Sequence, residues 1–333
     1  MEIKTCRNCM NSTLNPTISI GSDGLCNICK DYQDNFDLEK LKKERYFLKS
    51  LQDKSKKYDC LIGLSGGKDS TAMLKTVLDM GFHPLAFTFQ IGYNNVNERI
   101  IENLKKITHS LNVDYEVIDI HNYISLDDSK CFNLMADLYD KVDANQISDD
   151  AFLSLYNENR KHYSTKDNKE MPYIRPCQIC RKVTIKAYYA EAVKRNINII
   201  FIGINEWASK EGGNYSAIRT LKPFVDKPEV RIVHLPFLVQ RKYTEVLDII
   251  KQMGYENSVL DLNVETGGNN CLLAKACEKT AFERLHFHLD ASRLSREITV
   301  GFIDKKIAIE ALNRGSRLSE LSVRSVLEQS GVL

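Results

Sequence analysis

Six of the ten cysteines in this 333-residue chain fall into CxxC pairs. Cys6 and Cys9 are followed, after sixteen intervening residues, by Cys26 and Cys29. Two such knuckles present four thiolates, enough to close tetrahedrally around Zn2+ with no open coordination position, so they spell a structural zinc ribbon. The third pair, Cys177 and Cys180 in "RPCQICRK", has no second pair beside it. As a redox dithiol it would gain from a helix N-terminus, whose dipole lowers a thiol pKa. With Cys271 and Cys277 it would make a second closed zinc site. The late cysteines could equally be core residues, and Cys60 and Cys131 read as packing residues.

The other chemical feature is "LSGGKDST", Leu64 to Thr71. It follows an apolar run and opens a helical pattern, so its backbone N–H groups and the helix dipole can receive a phosphate. Gly66 and Gly67 permit close approach, Lys68 supplies charge, and Ser65, Ser70 and Thr71 supply hydroxyl donors. A Walker loop of the GxxxxGK[ST] kind is absent, because Asp69 follows Lys68 where a hydroxyl residue belongs. Ordinary γ-phosphate hydrolysis is therefore not the expected chemistry.

"SGGKDS" after a strand resembles the signature of the PP-loop ATP pyrophosphatases, over roughly residues 58–237. That resemblance implies attack of a substrate oxygen on the α-phosphate of ATP, giving an adenylated intermediate and pyrophosphate. It assigns Leu64, Ser65, Gly66, Gly67, Lys68, Asp69, Ser70 and Thr71 to the nucleotide, with Lys68 and Asp69 in catalysis and Asp69 organising Mg2+. "FIGIN" matches a later strand of the family and adds Gly203 and Asn205; Ile204 stands where a His is usual.

Adenylation turns a carbonyl oxygen into a leaving group, and the incoming nucleophile divides the superfamily. The chain resembles the tRNA-thiolating members that carry a CxxC pair and one later cysteine. The resemblance implies a [4Fe-4S] cluster on Cys177, Cys180 and Cys271, with Cys277 as the other choice for the third ligand, and a sulfur donor as partner. The first eighty residues also resemble the N-acetyl sugar amidotransferases of surface-polysaccharide biosynthesis, which implies ammonia supplied by a glutaminase subunit. A third reading is a non-catalytic nucleotide- or RNA-binding module. The acceptor, a small molecule or an RNA, has no legible motif.

These groups need elements to position them. Strands alternating with amphipathic helices imply an α/β fold, a doubly wound parallel sheet. The organisation expected is a zinc ribbon at 1–34, a linker helix at 35–57, the ATP-binding domain at 58–250 with a polar insertion or lid at about 125–170, and a helical region at 251–333. Within the ribbon, "TISI" reads as a strand and "GSDG" as its turn.

With Lys+Arg 46 against Asp+Glu 44, no global field argues for nucleic acid or membrane. No apolar run approaches a membrane span and no signal peptide is evident, so the expected setting is cytoplasmic, with no membrane partner and a homodimer as the assembly. Lesser candidates are His286, His288 and Asp290 as metal ligands, and Arg219, Lys222, Lys227 and Arg231 as anion contacts. Glu206 and Trp207 follow the nucleotide strand, and Lys4, Arg7 and Lys30 give the ribbon modest positive charge.

Overall fold

The ribbon's second knuckle runs directly into a helix, α1 (Asn27–Asn35), capped by the Cys26 side chain, and α2 (Leu38–Ser50) follows, capped by Asp37. Then the apolar period shortens. Strand β1 (Cys60–Gly63) buries Cys60, Leu61 and Ile62, as a central parallel strand must, and gives way to α3 (Lys68–Asp79), which buries Ala72, Met73, Leu74 and Val77. Gly81, at φ +85°, ends that helix in the left-handed conformation that a residue without a Cβ adopts freely. The rhythm repeats in β2 (Pro84–Gln90), α4 (Glu98–Ser110) and β3 (Tyr115–Asp119).

After β3 come α5 (Leu126–Asp143), α6 (Asp149–Tyr163) and α7 (Pro176–Lys194), and then β4 (Ile199–Ile202). A small antiparallel hairpin, β5 (Ser209–Glu211) with β6 (Asn214–Ser216), precedes β7 (Ile218–Leu221) and β8 (Val230–His234). The chain closes with α8 (Leu235–Leu238), α9 (Tyr243–Gln252), α10 (Leu272–Leu285), α11 (Ala291–Thr299), α12 (Lys305–Gly315) and α13 (Val323–Gln329). This computed structural model describes residues 2–92, 98–163, 170–254, 264, 271–315 and 321–333.

The main sheet has the order β3-β2-β1-β4-β8-β7, parallel throughout except for β7, which runs against β8. The fold is thus the expected α/β sheet with an antiparallel edge. Because β1 sits between β2 and β4, the chain leaves β1 toward one side and β4 toward the other. The carboxyl ends of β1 and β4 therefore flank a crevice at a topological switch point, where ligands of open α/β sheets bind.

One sequence expectation changes. "TISI" is not a strand: Ile20 makes only an isolated bridge to Cys26, because the metal knuckles leave too little chain for a ladder. The polar segment at about 125–170, read as an insertion or lid with helical fragments, carries α5 and α6. In α5, Phe132, Met135, Ala136 and Tyr139 recur at helical spacing and are buried with Phe152 and Tyr156 of α6 in one core with α7, α10 and α13. The exposed faces of these helices are Asp- and Asn-rich, and that charge masks the apolar stripe when composition alone is read.

Candidate active site

The loop between β1 and α3 is held open by contacts within itself. Ser70 Oγ accepts from the Ser65 N–H at 3.1 Å and donates to the Gly67 carbonyl at 3.0 Å, and Thr71 Oγ1 donates to the same carbonyl at 3.1 Å. Gly67 is the N-cap of α3 and supplies no side-chain cap, so the helix's first N–H groups face the crevice without one. Gly66 sits at φ +83°, and a Cβ there would stand 2.2 Å from Ile100 Cγ2 of α4. Across the switch point, a Cβ on Gly203 would come within 3.3 Å of the Ser70 backbone, so the turn after β4 packs directly against the loop. Lys68 is 1% exposed, with Nζ 3.2 Å from Asp69 Oδ2 and above the Tyr243 ring. Asp69 Oδ1 is buried and, among the described residues, has no hydrogen-bond partner. An orphaned carboxylate oxygen beside a phosphate loop suits a hard cation such as Mg2+.

One cavity of about 1400 Å³ contains this loop, the turn after β4 and the third CxxC pair. Helix α7 explains how. It starts at Pro176, so Cys177 and Cys180 lie in its first turns, and the same face continues through Arg181, Thr184 and Tyr188 along the cavity wall. At 1.5 Å per residue, that face carries the wall about 16 Å from Cys177 to Tyr188. Tyr188 Oη ends over Gly63, where a Cβ would meet it at 2.8 Å. Cys271 lines the cavity from the start of α10, where its sulfur caps the helix by accepting from the Ala274 N–H at 3.3 Å. Cys177 is open to the cavity but lies deep in the fold, and the resulting desolvation pushes its thiol up despite the nearby Arg175; burial with the Cys177 charge pushes Cys271 up to about 11. A reactive dithiol needs the opposite shift, whereas a bound cationic centre deprotonates its thiols outright.

The far wall comes from the C-terminal helices. Arg296 of α11 donates to the Glu206 carboxylate through Nε and, at 3.3 Å, through Nη2. Burial opposes ionisation of Glu206, but the Arg296 guanidinium prevails and holds the carboxyl below its ordinary value. Arg293 bridges Asp290 at 2.7 Å and Glu297 at 2.5 Å, and burial, with Asp69 among the neighbouring charges, raises Glu297 to about 7. His234, at the end of β8, is buried and donates from Nδ1 to the Glu206 carbonyl at 2.8 Å. Burial first, then the charges of Arg181 and Arg219, depress its pKa to about 4, so the ring is neutral. Its Nε2 is therefore an unprotonated acceptor on a residue that lines the cavity.

The four N-terminal cysteines form a separate centre. Their sulfurs lie within 4.8 Å of one another, with Cys6–Cys29 at 3.9 Å and Cys9–Cys26 at 3.7 Å. Tetrahedral Zn–S bonds of about 2.3 Å place sulfurs about 3.8 Å apart, so the set fits zinc. The Cys26 N–H donates to Cys6 Sγ at 3.2 Å, the Cys29 N–H to Cys26 Sγ at 3.4 Å, and Asn8 to Cys29 Sγ at 3.3 Å, the second-sphere bonds that stabilise thiolates. This ribbon is joined to the catalytic half. Cys29 Sγ meets Thr299 Oγ1 of α11 at 3.2 Å, and Lys305 donates to the Cys6 carbonyl at 2.8 Å. One turn beyond Cys29, Tyr32 stacks on Trp207 at 5.7 Å, and Asn27, Ile28 and Asp31 line the cavity.

Of the sequence candidates, Leu64 to Ser70, Gly203, Asn205, Cys177, Cys180 and Cys271 line the one cavity, as do Glu206, Trp207 and Arg219. Thr71 is wholly buried behind the loop and is not in its lining; its hydroxyl is turned to Gly67. Cys277 is buried in the helical core, as are Cys60 and Cys131 in theirs, so Cys271 is the late cysteine that shares the cavity. The glycines before Cys271 lie outside the described residues. Asp290 is committed to Arg293 and His288 faces Glu278 at 3.6 Å, so the HxH motif gathers no metal set; among the described residues only the ribbon cysteines lie close enough together to hold a single ion. Lys222, Lys227 and Arg231 do not line the cavity, and the last two pair with Asp226 and Glu229. Sequence reading passed over Tyr188, His234, Arg293, Arg296 and Glu297. The only available signal was the ion-pair spacing Asp290/Arg293/Glu297 on one helix face.

The comparisons with known proteins follow this geometry. A family model described as queuosine biosynthesis protein QueC matches residues 59–277, about two thirds of the chain. The chain belongs to the QueC family. This QueC-family chain is thereby a PP-loop ATP pyrophosphatase superfamily member, and members of that superfamily are ATP-using enzymes. No curated protein matches it. Among solved structures it is similar to NMN synthetase from Francisella tularensis, with 14% identity, TM-score 0.34, and coverage of 86% of this chain and 99% of that one. It is also similar to the U34-tRNA thiolase NcsA from Methanococcus maripaludis with its [4Fe-4S] cluster, with 13% identity, TM-score 0.38, and coverage of 100% and 99%. Among the described residues no helix is long and apolar enough to cross a membrane.

Proposed function

We propose that this QueC-family enzyme adenylates a carbonyl or amide oxygen of its acceptor and replaces that oxygen with sulfur. The observation that carries the reading is the shared cavity: Cys177, Cys180 and Cys271 line the same space as the phosphate loop, and the other cysteines do not. In the first step the acceptor oxygen bonds to the α-phosphorus and the bond from that phosphorus to pyrophosphate breaks. In the second, a sulfur nucleophile bonds to the activated carbon and the carbon–oxygen bond to AMP breaks. Lys68 and the N-terminus of α3 stabilise the charge that gathers on the departing pyrophosphate, and Asp69 would hold Mg2+, which when bound would help neutralise that charge.

Cys177 and Cys271, whose thiols are pushed up, fit a [4Fe-4S] cluster with Cys180 on the same cavity better than a free dithiol. Such a cluster, held by three cysteines, would leave one iron without a protein ligand and so provide a place for hydrosulfide. Anaerobic reconstitution, followed by iron, sulfide and zinc analysis, tests the assignment. About four iron and four sulfide per chain are expected, together with one zinc, and replacing Cys177 or Cys271 by Ala should remove the iron while leaving the zinc. A protein that takes up zinc but no iron sinks the sulfur reading. Turnover that survives Cys177→Ala and depends on ammonium would instead support amide transfer.

A further inference from the structure

At one end of the cavity two buried polar side chains are left with unused hydrogen-bonding atoms. Asn205 is 7% exposed and lines the cavity, and its Oδ1 is buried with no hydrogen-bond partner among the described residues. His234 is buried and lines the same space. Its Nδ1 donates to the Glu206 carbonyl at 2.8 Å, which leaves Nε2 as the ring's acceptor, and among the described residues nothing donates to it.

The sheet sets these groups beside each other. His234 ends β8 opposite Ile202, the last residue of β4. Asn205 follows in the turn after β4, one residue before the Glu206 carbonyl that the His234 ring ties down. Both therefore stand at the carboxyl ends of β4 and β8. Ile202 and Ile232, on the same face of the sheet as His234, pack with Ile185 and Tyr188 of α7, so this is the face that the cavity covers.

The opposite end has another character. Phe87 and Phe89 of β2 and Tyr188 form an aromatic wall, with ring centroids 4.9 to 5.6 Å apart, of the kind on which a base stacks. In the order β2-β1-β4-β8, three strand spacings of about 4.8 Å put about 14 Å between the ends of β2 and β8. With the triphosphate in the loop after β1 and its base on the β2 side, the Asn205 and His234 end is left to the second reactant.

The chemistry of that end selects among reactants. An asparagine amide offers one donor and one acceptor, and its terminal torsion is soft enough to present either. Imidazole Nε2 here only accepts. A carboxylate brings acceptors alone and leaves Nε2 unpaired, whereas a secondary amide brings an N–H for an acceptor and a C=O for the Asn205 amide N–H.

We propose that Asn205 and His234 form the acceptor subsite and bind the N–H and C=O of a secondary amide. The proposal deepens the adenylation reading and rests on it for the position of ATP.

The test uses full-length, zinc-loaded protein saturated with α,β-methylene-ATP and Mg2+ and titrated by NMR with two matched pairs at millimolar concentrations. Uridine is paired with 3-methyluridine, which lacks the ring N–H, and N-acetylglucosamine with glucose, which lacks the acetamido group. At least one amide-bearing member is expected to bind ~10-fold more tightly than its control, about 1.4 kcal/mol, and to shift the Asn205 side-chain amide resonances. A preference for uridine assigns a lactam and one for N-acetylglucosamine an acetamido group; both keep the proposal. Asn205→Leu, similar in shape but without polar atoms, should cut the preference to about 2-fold or less while the urea midpoint stays level or rises, because an unpaired buried carbonyl is removed and no partner is orphaned. An asparagine with a merely structural role would lower the midpoint on replacement, and that result overturns the proposal. Equal or undetectable binding within both pairs also overturns it, as does an Asn205→Leu protein that loses α,β-methylene-ATP more severely than the amide probe. A wild-type protein that binds no α,β-methylene-ATP refutes the ATP reading itself, and the same pairs titrated into nucleotide-free protein then decide the subsite alone.

Discussion

Gly66 is where the loop's geometry can be challenged most directly. Its φ of +83° and the 2.2 Å separation that a Cβ would have from Ile100 Cγ2 make Gly66→Ala costly in two independent ways. A side chain in the left-handed region costs about 1–2 kcal/mol. Forcing a methyl into a β-branched neighbour, which has few rotamers to retreat to, adds about 1–3 kcal/mol. If the loop kept its shape, the folded state would lose about 2–5 kcal/mol. If it relaxed, the N–H groups aimed at the phosphates would move, and ATP affinity would fall by about 100-fold, equivalent to about 2.7 kcal/mol. The two contributions can be separated by a cycle with Ile100→Ala. The double variant should regain the steric part, about 1–3 kcal/mol, and retain the backbone part. Urea denaturation and calorimetric titration of ATP read both quantities. Wild-type stability and ATP affinity in Gly66→Ala would refute the reasoning, and a double variant no better than the single would refute the assignment of the clash to Ile100.

Other expectations follow from the same site. Asp69→Asn should abolish Mg2+-dependent release of pyrophosphate and AMP while the circular dichroism spectrum stays native, since the carboxylate is proposed to serve the cation and not the core. Stripping zinc with a chelator should shift the fluorescence of Trp207, the only tryptophan, to longer wavelength and make it more accessible to acrylamide, because Tyr32, one turn from Cys29, stacks on it; re-adding zinc should reverse both changes. For His234 the folded pKa of about 4 lies below the ordinary 6.5. Its contribution to stability is therefore complete above pH 6.5 and is lost as pH falls from 6.5 to 4, by about 3 kcal/mol at 1.36 kcal/mol per unit. His234→Gln should flatten that acid limb in thermal melts between pH 6.5 and 4, and an unchanged limb would show that another group is responsible.

The parallel sheet and its phosphate loop were legible because their signals are local. A buried apolar run, two glycines and an amphipathic helix are adjacent in sequence, and so is the double CxxC spacing. The polar segment before the third CxxC was legible only as helical fragments because solvated faces dominate its composition, while the stripe Phe132, Met135, Tyr139 is one residue in three or four. Arg293, Arg296 and Glu297 were out of reach for another reason. Their partner Glu206 and neighbour Asp69 lie about 90 and 230 residues away, and nothing in a helix sequence states which distant carboxylate an arginine will face. His234 was hidden in the same way, since its role depends on a carbonyl 28 positions earlier being held across the sheet's crevice.

The joining of the ribbon to α11 and Lys305 has a consequence for biosynthesis. The ribbon leaves the ribosome 270 positions ahead of its partner on α11, yet Cys29 meets Thr299 and Lys305 reaches Cys6. A growing chain can therefore form the phosphate loop long before the wall carrying Glu297 and Arg296 exists. If domains fold as they emerge, the nascent enzyme holds an open, water-filled crevice in place of a closed one. The crevice is complete only after α11 has emerged and been fastened to the ribbon.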